Sequence, residues 1–291
     1  MPQSATLSAK IVLITGCSSG IGRALAELLV AKRHIVWATA RREDSVSELE
    51  TWAKSFGESA VVRRLDVVDA TNIRAVVDEL KEVHGRIDCL VNNAGFGQFG
   101  AVEEITPQQW RRQFETNVFG VVELCRAVLP TMREQRSGRI VNVSSLAAHA
   151  TLPLMGAYAA SKHALDAVSS SLRMEVAPFG IDVVLIEPGP VTTQFRDNVA
   201  ANLGGDKAAS GPYARLYQAL DDYWKGAYGR TGKTGDDVAR LICKVICARR
   251  PRARYRITAP ARLLPWILPF LPDRLTDATI LRRMGWRKSD I

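Results

Sequence analysis

The feature that most constrains this chain is an alternation. Short apolar, β-branched runs occur at Ile11–Thr15, Ile35–Thr39, Ala60–Leu65, Ile87–Val91, Arg139–Ser144 and Asp182–Glu187. Between them lie longer stretches with helical apolar spacing: Ile21–Ala31, Ser45–Phe56, Thr71–Val83, Pro107–Arg133 and Ala157–Pro178. Strands that are apolar along their whole length suit a sheet covered by helices on both faces. Strict β–α alternation predicts a parallel, doubly wound α/β sheet with right-handed crossovers. No repeat or low-complexity linker interrupts the pattern, so residues 1–291 are read as one domain.

The rhythm changes after Glu187. Pro188-Gly189-Pro190 ends the last run, and a loose stretch to about Gly232 has the length of a lid or binding loop. A helix is predicted from Asp236 to about Ala248 and a short strand at Tyr255–Thr258. The proline-punctuated apolar segment Leu263–Leu271 and a basic tail follow.

Hydrophobic residues at 47% and charged residues at 24% exclude a disordered chain. No run approaches the ~18 apolar residues that span a bilayer. Met1–Lys10 lacks a basic region followed by an apolar one, so a cytoplasmic protein is expected. The five cysteines show no paired CxxC spacing and the four histidines no ligand cluster, so neither a metal nor a disulfide framework is expected. The net charge of +9 favours acidic partners such as nucleic acid, anionic lipid or a phosphorylated cofactor. A nucleic-acid partner would rest on Arg249, Arg250, Arg252, Arg254 and Arg256. A solvated basic turn accounts for them, and no nucleic acid is expected.

Thr15-Gly16-Cys17-Ser18-Ser19-Gly20-Ile21-Gly22 follows the first strand and opens a helix. Gly16 permits a tight turn, Gly20 a close approach of a pyrophosphate, and Gly22 close packing of helix on strand. The helix N-terminus then offers free N–H groups to phosphates. The second strand ends Thr39-Ala40-Arg41-Arg42, where an NAD site would place Asp or Glu on the ribose. Two guanidiniums match a 2′-phosphate, so NADP(H) is favoured over NAD(H). Asp66 is placed to accept from an adenine amino group, with Asp69 the better helix cap. Asn92-Asn93-Ala94-Gly95 closes the fourth strand, where an amide and bare backbone can pin the crevice.

Tyr158 and Lys162 stand four apart on one predicted helix face. Neither is a base at neutral pH unaided, but an ammonium beside a phenol favours the phenolate and makes the pair an acid/base device. Ser145, closing the fifth strand in Asn142-Val143-Ser144-Ser145, puts a hydroxyl at the carboxyl edge of the sheet. Ser144 is the competing hydroxyl, with bracing of the turn as its expected role.

These motifs occur in an order that resembles the short-chain dehydrogenase/reductase family over about Lys10–Thr193. The resemblance implies a Rossmann-type fold with strand order 3-2-1-4-5-6-7, and its Ser-to-Tyr spacing selects Ser145. It implies Tyr158 as proton donor and acceptor, Ser145 as the group orienting the substrate oxygen, and Lys162 on the nicotinamide ribose. Asn117, in Thr116-Asn117-Val118-Phe119-Gly120, matches the family's helix-four asparagine, which holds a water on the proton relay. Thr192, after Pro188-Gly189-Pro190-Val191, matches the threonine that contacts the nicotinamide carboxamide. Homodimers or homotetramers through the helices carrying Asn117 and Tyr158 are implied as well.

Residues 8–193 are thus expected to form the cofactor-binding and catalytic core, and 194–291 a substrate lid and C-terminal extension. Tyr213, Tyr217, Tyr223, Trp224 and Tyr228 in the lid suit a ring-bearing or apolar substrate. His149, Leu152, Leu154 and Met155 could line the same pocket. Arg252-Ala253-Arg254-Tyr255 and Leu271-Pro272-Asp273-Arg274 resemble the retinol and hydroxysteroid dehydrogenase branch more loosely. The expected activity is hydride transfer between NADP(H) and a lipophilic ketone or aldehyde, or the corresponding alcohol. The alternative is a catalytically silent, cofactor-binding sensor or scaffold. For Leu263–Leu271 two uses stand open: an apolar cover over the substrate, which is preferred, or peripheral contact with a membrane.

Overall fold

The computed structural model describes residues 9–192, 211–231 and 233–286. The alternation becomes β1 (Ile11–Ile14), α1 (Gly20–Ala31), β2 (Ile35–Ala40), α2 (Glu43–Ala53), β3 (Ala60–Arg64), α3 (Ala70–His84) and β4 (Cys89–Asn92). Then come α4 (Pro107–Phe114), α5 (Gly120–Glu134), β5 (Gly138–Val143), α6 (Gly156–Val176) and β6 (Ile181–Glu187). The strands pair parallel in the order β3-β2-β1-β4-β5-β6-β7, with β7 (Arg254–Arg256) at the edge. Two apolar clusters cover the two sheet faces: Val12, Ile14 and Val91 point into one, Ile11, Leu13 and Leu90 into the other. That two-sided burial is why these strands are apolar at consecutive positions and do not alternate. The order reverses between β1 and β4, so their carboxyl ends splay apart and leave a crevice.

Local signals explain several boundaries. Asp69 caps α3 by accepting from the N–H groups of Thr71 and Asn72. Thr106 and Gln109 form a reciprocal capping box on α4, with Pro107 in the first turn. The single helix predicted over Pro107–Arg133 is interrupted by a π-turn, Glu115–Phe119, which carries Asn117. Apolar periodicity cannot reveal one extra residue in a turn that tertiary hydrogen bonds hold open.

The region expected to be loose contains α7 (Ala214–Thr231). Leu216, Tyr217 and Leu220 form its buried stripe at helical spacing; polar and glycine neighbours obscure that pattern. The lid residues 194–210 and Gly232 lie outside the described residues. Helix α8 (Gly235–Cys247) packs on α1 through Val238, Ile242 and Ile246. The tail is more helical than its prolines suggest. Pro260 sits in the first turn of α9 (Ala259–Ile267), and Pro265 is tolerated inside it. The break falls later, at the 3₁₀ turn Leu268–Phe270, before α10 (Asp273–Arg283). Among the described residues no helix is long and apolar enough to cross a membrane.

Candidate active site

The glycine turn is built by close approach. Gly16 has φ +73°, and a Cβ there would stand 2.8 Å from the Ala94 Cα. A Cβ on Gly22 would collide with the Gly16 carbonyl oxygen and the Asn93 amide. Asn93 uses that closeness, donating Nδ2 to the carbonyls of Thr15 and Gly16, both at 2.9 Å. The Thr15 hydroxyl accepts from the N–H groups of Asn93 (3.1 Å) and Ala94 (3.0 Å). Thr15 thus ties β1 to β4 across the crevice. Its place in the glycine motif was visible in the sequence, but this role was not.

One cleft of about 1070 Å³ follows the carboxyl edge of the sheet. Gly16, Ser18, Ser19, Gly20 and Ile21 line one end. The first turn of α1 holds no acidic residue, and the Ser19 side chain makes no cap. Its N–H groups therefore face the cleft without an internal acceptor, which fits a diphosphate. Arg41, Arg42 and Asp66 line the next section. Arg42 is held by Asp44 at 3.2 Å and by Ser45 at 3.3 Å, while Arg41 is exposed. The Asp66 carboxylate lines the cleft and accepts from the Val68 N–H at 3.2 Å. Asn93, Ala94, Gly95, Pro188, Gly189 and Val191 form the floor.

Tyr158, Lys162 and Ser145 meet in the middle of this cleft. Both helix residues are buried, and the Lys162 Nζ stands 5.8 Å from the centre of the Tyr158 ring. Nζ donates to the Val143 carbonyl at 2.9 Å. Burial lowers the Lys162 pKa to about 8, so at neutral pH the cationic form still predominates beside the phenol. Tyr158 packs on Phe99 at a ring separation of 5.7 Å. The Ser145 hydroxyl accepts from the Ala147 N–H at 3.1 Å, which leaves its own proton to donate. Ser144 braces the turn through its N–H, which donates to the Ile186 carbonyl at 2.8 Å. Its hydroxyl does not share that work: it is buried at the cleft without a hydrogen-bond partner.

Some predicted residues fall outside the cleft. Asn117 is buried behind the wall. Its Nδ2 donates to the Phe96 carbonyl at 3.0 Å and to the Ser161 hydroxyl at 3.2 Å, and its Oδ1 accepts from the Phe96 N–H at 3.2 Å. Gly22 does not line the cleft; its bare Cα lets Gly16 and Asn93 pack against α1. Thr192 lines an adjoining hollow of about 460 Å³ with Ser18, Ser19 and Gly20, and its N–H donates to the Lys233 carbonyl. Leu152 and Met155 line the cleft, but Leu154 is buried beside it. His149 turns away, with Nε2 3.1 Å from Glu187 Oε2, near but not aligned as a hydrogen bond. Of the lid aromatics, Tyr223 and Trp224 reach the cleft. Tyr213 and Tyr217 donate instead to Glu103 (2.6 Å) and Glu104 (2.7 Å), and the Tyr228 side chain lies outside the described residues.

The fold also assembles a cluster that spacing did not suggest. His149, Asp166 and Glu187 bring ligand-type atoms within 4.8 Å of one another. The Glu187 oxygens already accept from Arg254 Nη1 and Arg256 Nε, both at 2.7 Å, and Arg254 also pairs with Asp166. Two guanidiniums stand where a cation would, so the cluster is an ionic network. Arg254 and Arg256 are accordingly structural and not part of a solvated basic turn.

The fold and the cleft define a nucleotide-binding protein of the Rossmann class. Residues 10–204 match the family model described as short chain dehydrogenase. The chain is 36% identical over 253 residues to 3-ketodihydrosphingosine reductase of Bacteroides thetaiotaomicron, covering 85% of this chain and 87% of that one. It is 31% identical over 278 residues to the NADPH-dependent 3-dehydrocapnine reductase of Ornithobacterium rhinotracheale, covering 92% and 95%. A short-chain dehydrogenase structure from Streptomyces avermitilis superposes with a TM-score of 0.78 at 33% identity, over 96% of this chain and 98% of that one. The chain belongs to the short-chain dehydrogenase family and is an NAD(P)-dependent oxidoreductase.

Proposed function

We propose that this chain is an NADP(H)-dependent oxidoreductase acting on a lipophilic ketone or aldehyde, or on the corresponding alcohol. The observation that carries the reading is the continuity of one cleft. It runs from the α1 N-terminus past Arg41 to Tyr158, and then opens beneath an apolar wall that includes Leu264, Leu268 and Ile280. Gly16 to Ile21 would hold the diphosphate, Arg41 and Arg42 the 2′-phosphate, and Lys162 the nicotinamide ribose. The cofactor supplies hydride when bound. Tyr158 gives its phenolic proton to the substrate oxygen during reduction and takes it back during oxidation. The Lys162 ammonium lowers the cost of the phenolate, and the Ser145 hydroxyl donates to the same oxygen. Phe99, Trp224 and the apolar wall exclude water from the reacting carbon. Two relatives support the reading by name: one is a reductase of a 3-keto compound, and the other is NADPH-dependent.

In this reading the chain is one functional domain with its core in 8–193 and its lid and extension in 194–291. It assembles as a homodimer or homotetramer through α4, α5 and α6. Exposed Phe119, between α4 and α5, and exposed Met174, on α6, support that assembly.

The test is Tyr158→Phe, assayed by NADPH consumption on a panel of ketones and aldehydes. The variant loses turnover and keeps cofactor affinity, because only the proton donor is removed. Lys162→Ala loses both. A Tyr158→Phe enzyme that retained most of the wild-type rate would exclude the assignment.

A further inference from the structure

The C-terminal helices have an apolar face on each side. Leu264, Leu268 and Ile280 line the cleft. Leu263, Trp266, Ile267 and Phe270 do not; Trp266 is 70% exposed and Phe270 84%. Leu271 and Leu275 belong to both sides, since they line the cleft and are also exposed. The outer patch is therefore continuous with the cleft wall at its rim. A contiguous apolar surface of this kind marks an interaction face.

Charge identifies the partner. Between Arg249 and Trp286 there are nine arginines and two acidic residues, Asp273 and Asp277. Arg254 and Arg256 answer to Glu187 and Asp166. Arg262, Arg274, Arg282 and Arg283 are exposed and interleaved with the apolar residues of α9 and α10. The Arg256 guanidinium, 5.8 Å from the centre of the Trp266 ring, brings the basic β7 edge alongside. A second copy of the chain meeting this patch across a two-fold axis would set like charges against each other. An anionic lipid surface accepts both the aromatic side chains and the arginines. The helices are far too short to span it, so they would lie in the interface.

We propose that α9 and α10 seat the chain on an anionic lipid surface, with Trp266 and Phe270 in the interface and the cleft opening to lipid at Leu271 and Leu275. An apolar substrate then reaches Tyr158 without crossing bulk water. This purpose rests on the lipophilic substrate proposed above; the seating does not.

The experiment is co-sedimentation of the full chain with phosphatidylglycerol–phosphatidylcholine vesicles and with phosphatidylcholine vesicles alone. Wild type sediments with the anionic vesicles and much less with the neutral ones. The double variant Trp266→Ser/Phe270→Ser partitions at least about tenfold less, as expected when two aromatic side chains leave an apolar phase. Arg274→Gln/Arg282→Gln binds anionic vesicles about twenty-five-fold less, at roughly fivefold per charge. Both variants keep the wild-type KM for NADPH and the wild-type turnover of a small water-soluble ketone, which shows that they are folded. Wild type that stays in the supernatant, or variants that sediment like wild type, overturn the proposal. So does a lipid-free self-association that the aromatic variant abolishes, because the occupant is then a second copy. Vesicle binding by a chain that leaves NADPH unoxidised with every carbonyl compound of the panel supports the seating and sinks the proposed reaction. Reduction of a lipophilic ketone without vesicle binding does the reverse.

Discussion

Arg41 and Arg42 are neighbours with different surroundings. Arg42 is engaged by Asp44 and Ser45, so part of its charge is already answered, whereas Arg41 is exposed where it lines the cleft. A 2′-phosphate would gain most from Arg41. Losing a charge-assisted hydrogen bond costs about 1.5–3 kcal/mol, or roughly ten- to a hundredfold in affinity. Arg41→Ala is expected to weaken NADPH by that factor and leave NADH unchanged, with Arg42→Ala showing a smaller effect. Dissociation constants for both cofactors check this. Equal affinities in the wild type would end the case for NADP(H).

At the scale of elements, the three-residue strand β7 could not hold the sheet edge by its ladder alone. Arg254 and Arg256 anchor it to Glu187 at the end of β6, and Arg254 reaches Asp166 and Ser170 on α6. Burial by itself would raise the Glu187 pKa. Contact with His149 and the hydrogen bonds from Arg256 and Arg254 outweigh it and hold the carboxyl near 2, against 4.5 ordinarily. A pKa depressed in the folded state contributes stability that is complete above about 4.5 and is lost as the pH falls toward 2. The shift corresponds to something on the order of 3 kcal/mol. Glu187→Gln should therefore unfold at lower urea than wild type at pH 7, and the gap should close between pH 4.5 and 2. A gap that stays constant across that range would refute the linkage.

Over the whole molecule, the cleft is closed by parts far apart in sequence. Phe99 after β4, Trp224 on α7 and Met284 at the end of α10 share one apolar cluster with Tyr158. The C-terminal segment thus forms one wall of the cleft beside Tyr158, and in the proposed function that wall would cover the substrate. Deleting Arg262–Ile291 should raise KM for a bulky ketone far more than for NADPH. Leu264→Ala/Leu268→Ala, which widens the same wall at less cost to packing, should shift it in the same direction. Unchanged selectivity between bulky and small ketones in both variants would remove the tail from the site.

The class of fold was legible in the sequence because two-sided burial of a parallel sheet writes itself as consecutive apolar residues, and turns at the sheet edge need glycines and asparagines at set intervals. The motifs around Gly16, Asn93 and Tyr158 are local for the same reason: each joins residues within one turn or one helix face. What spacing could not reach were pairings across the fold. Nothing near Asn117 in the chain announces Phe96 and Ser161, which hold its π-turn open. The partners of Glu187 come from two other segments, β7 and the turn after β5, and His149 is drawn to it and away from the cleft. The polar face of α7 hid a helix whose apolar stripe acquires meaning only against Phe99 and Tyr158. The same holds for the tail: its composition left cover and membrane contact both open. Only the packing of α9 and α10 assigned Leu264 and Leu268 to the cleft and left Trp266 and Phe270 facing outward, because which side of a helix is buried depends on what it packs against.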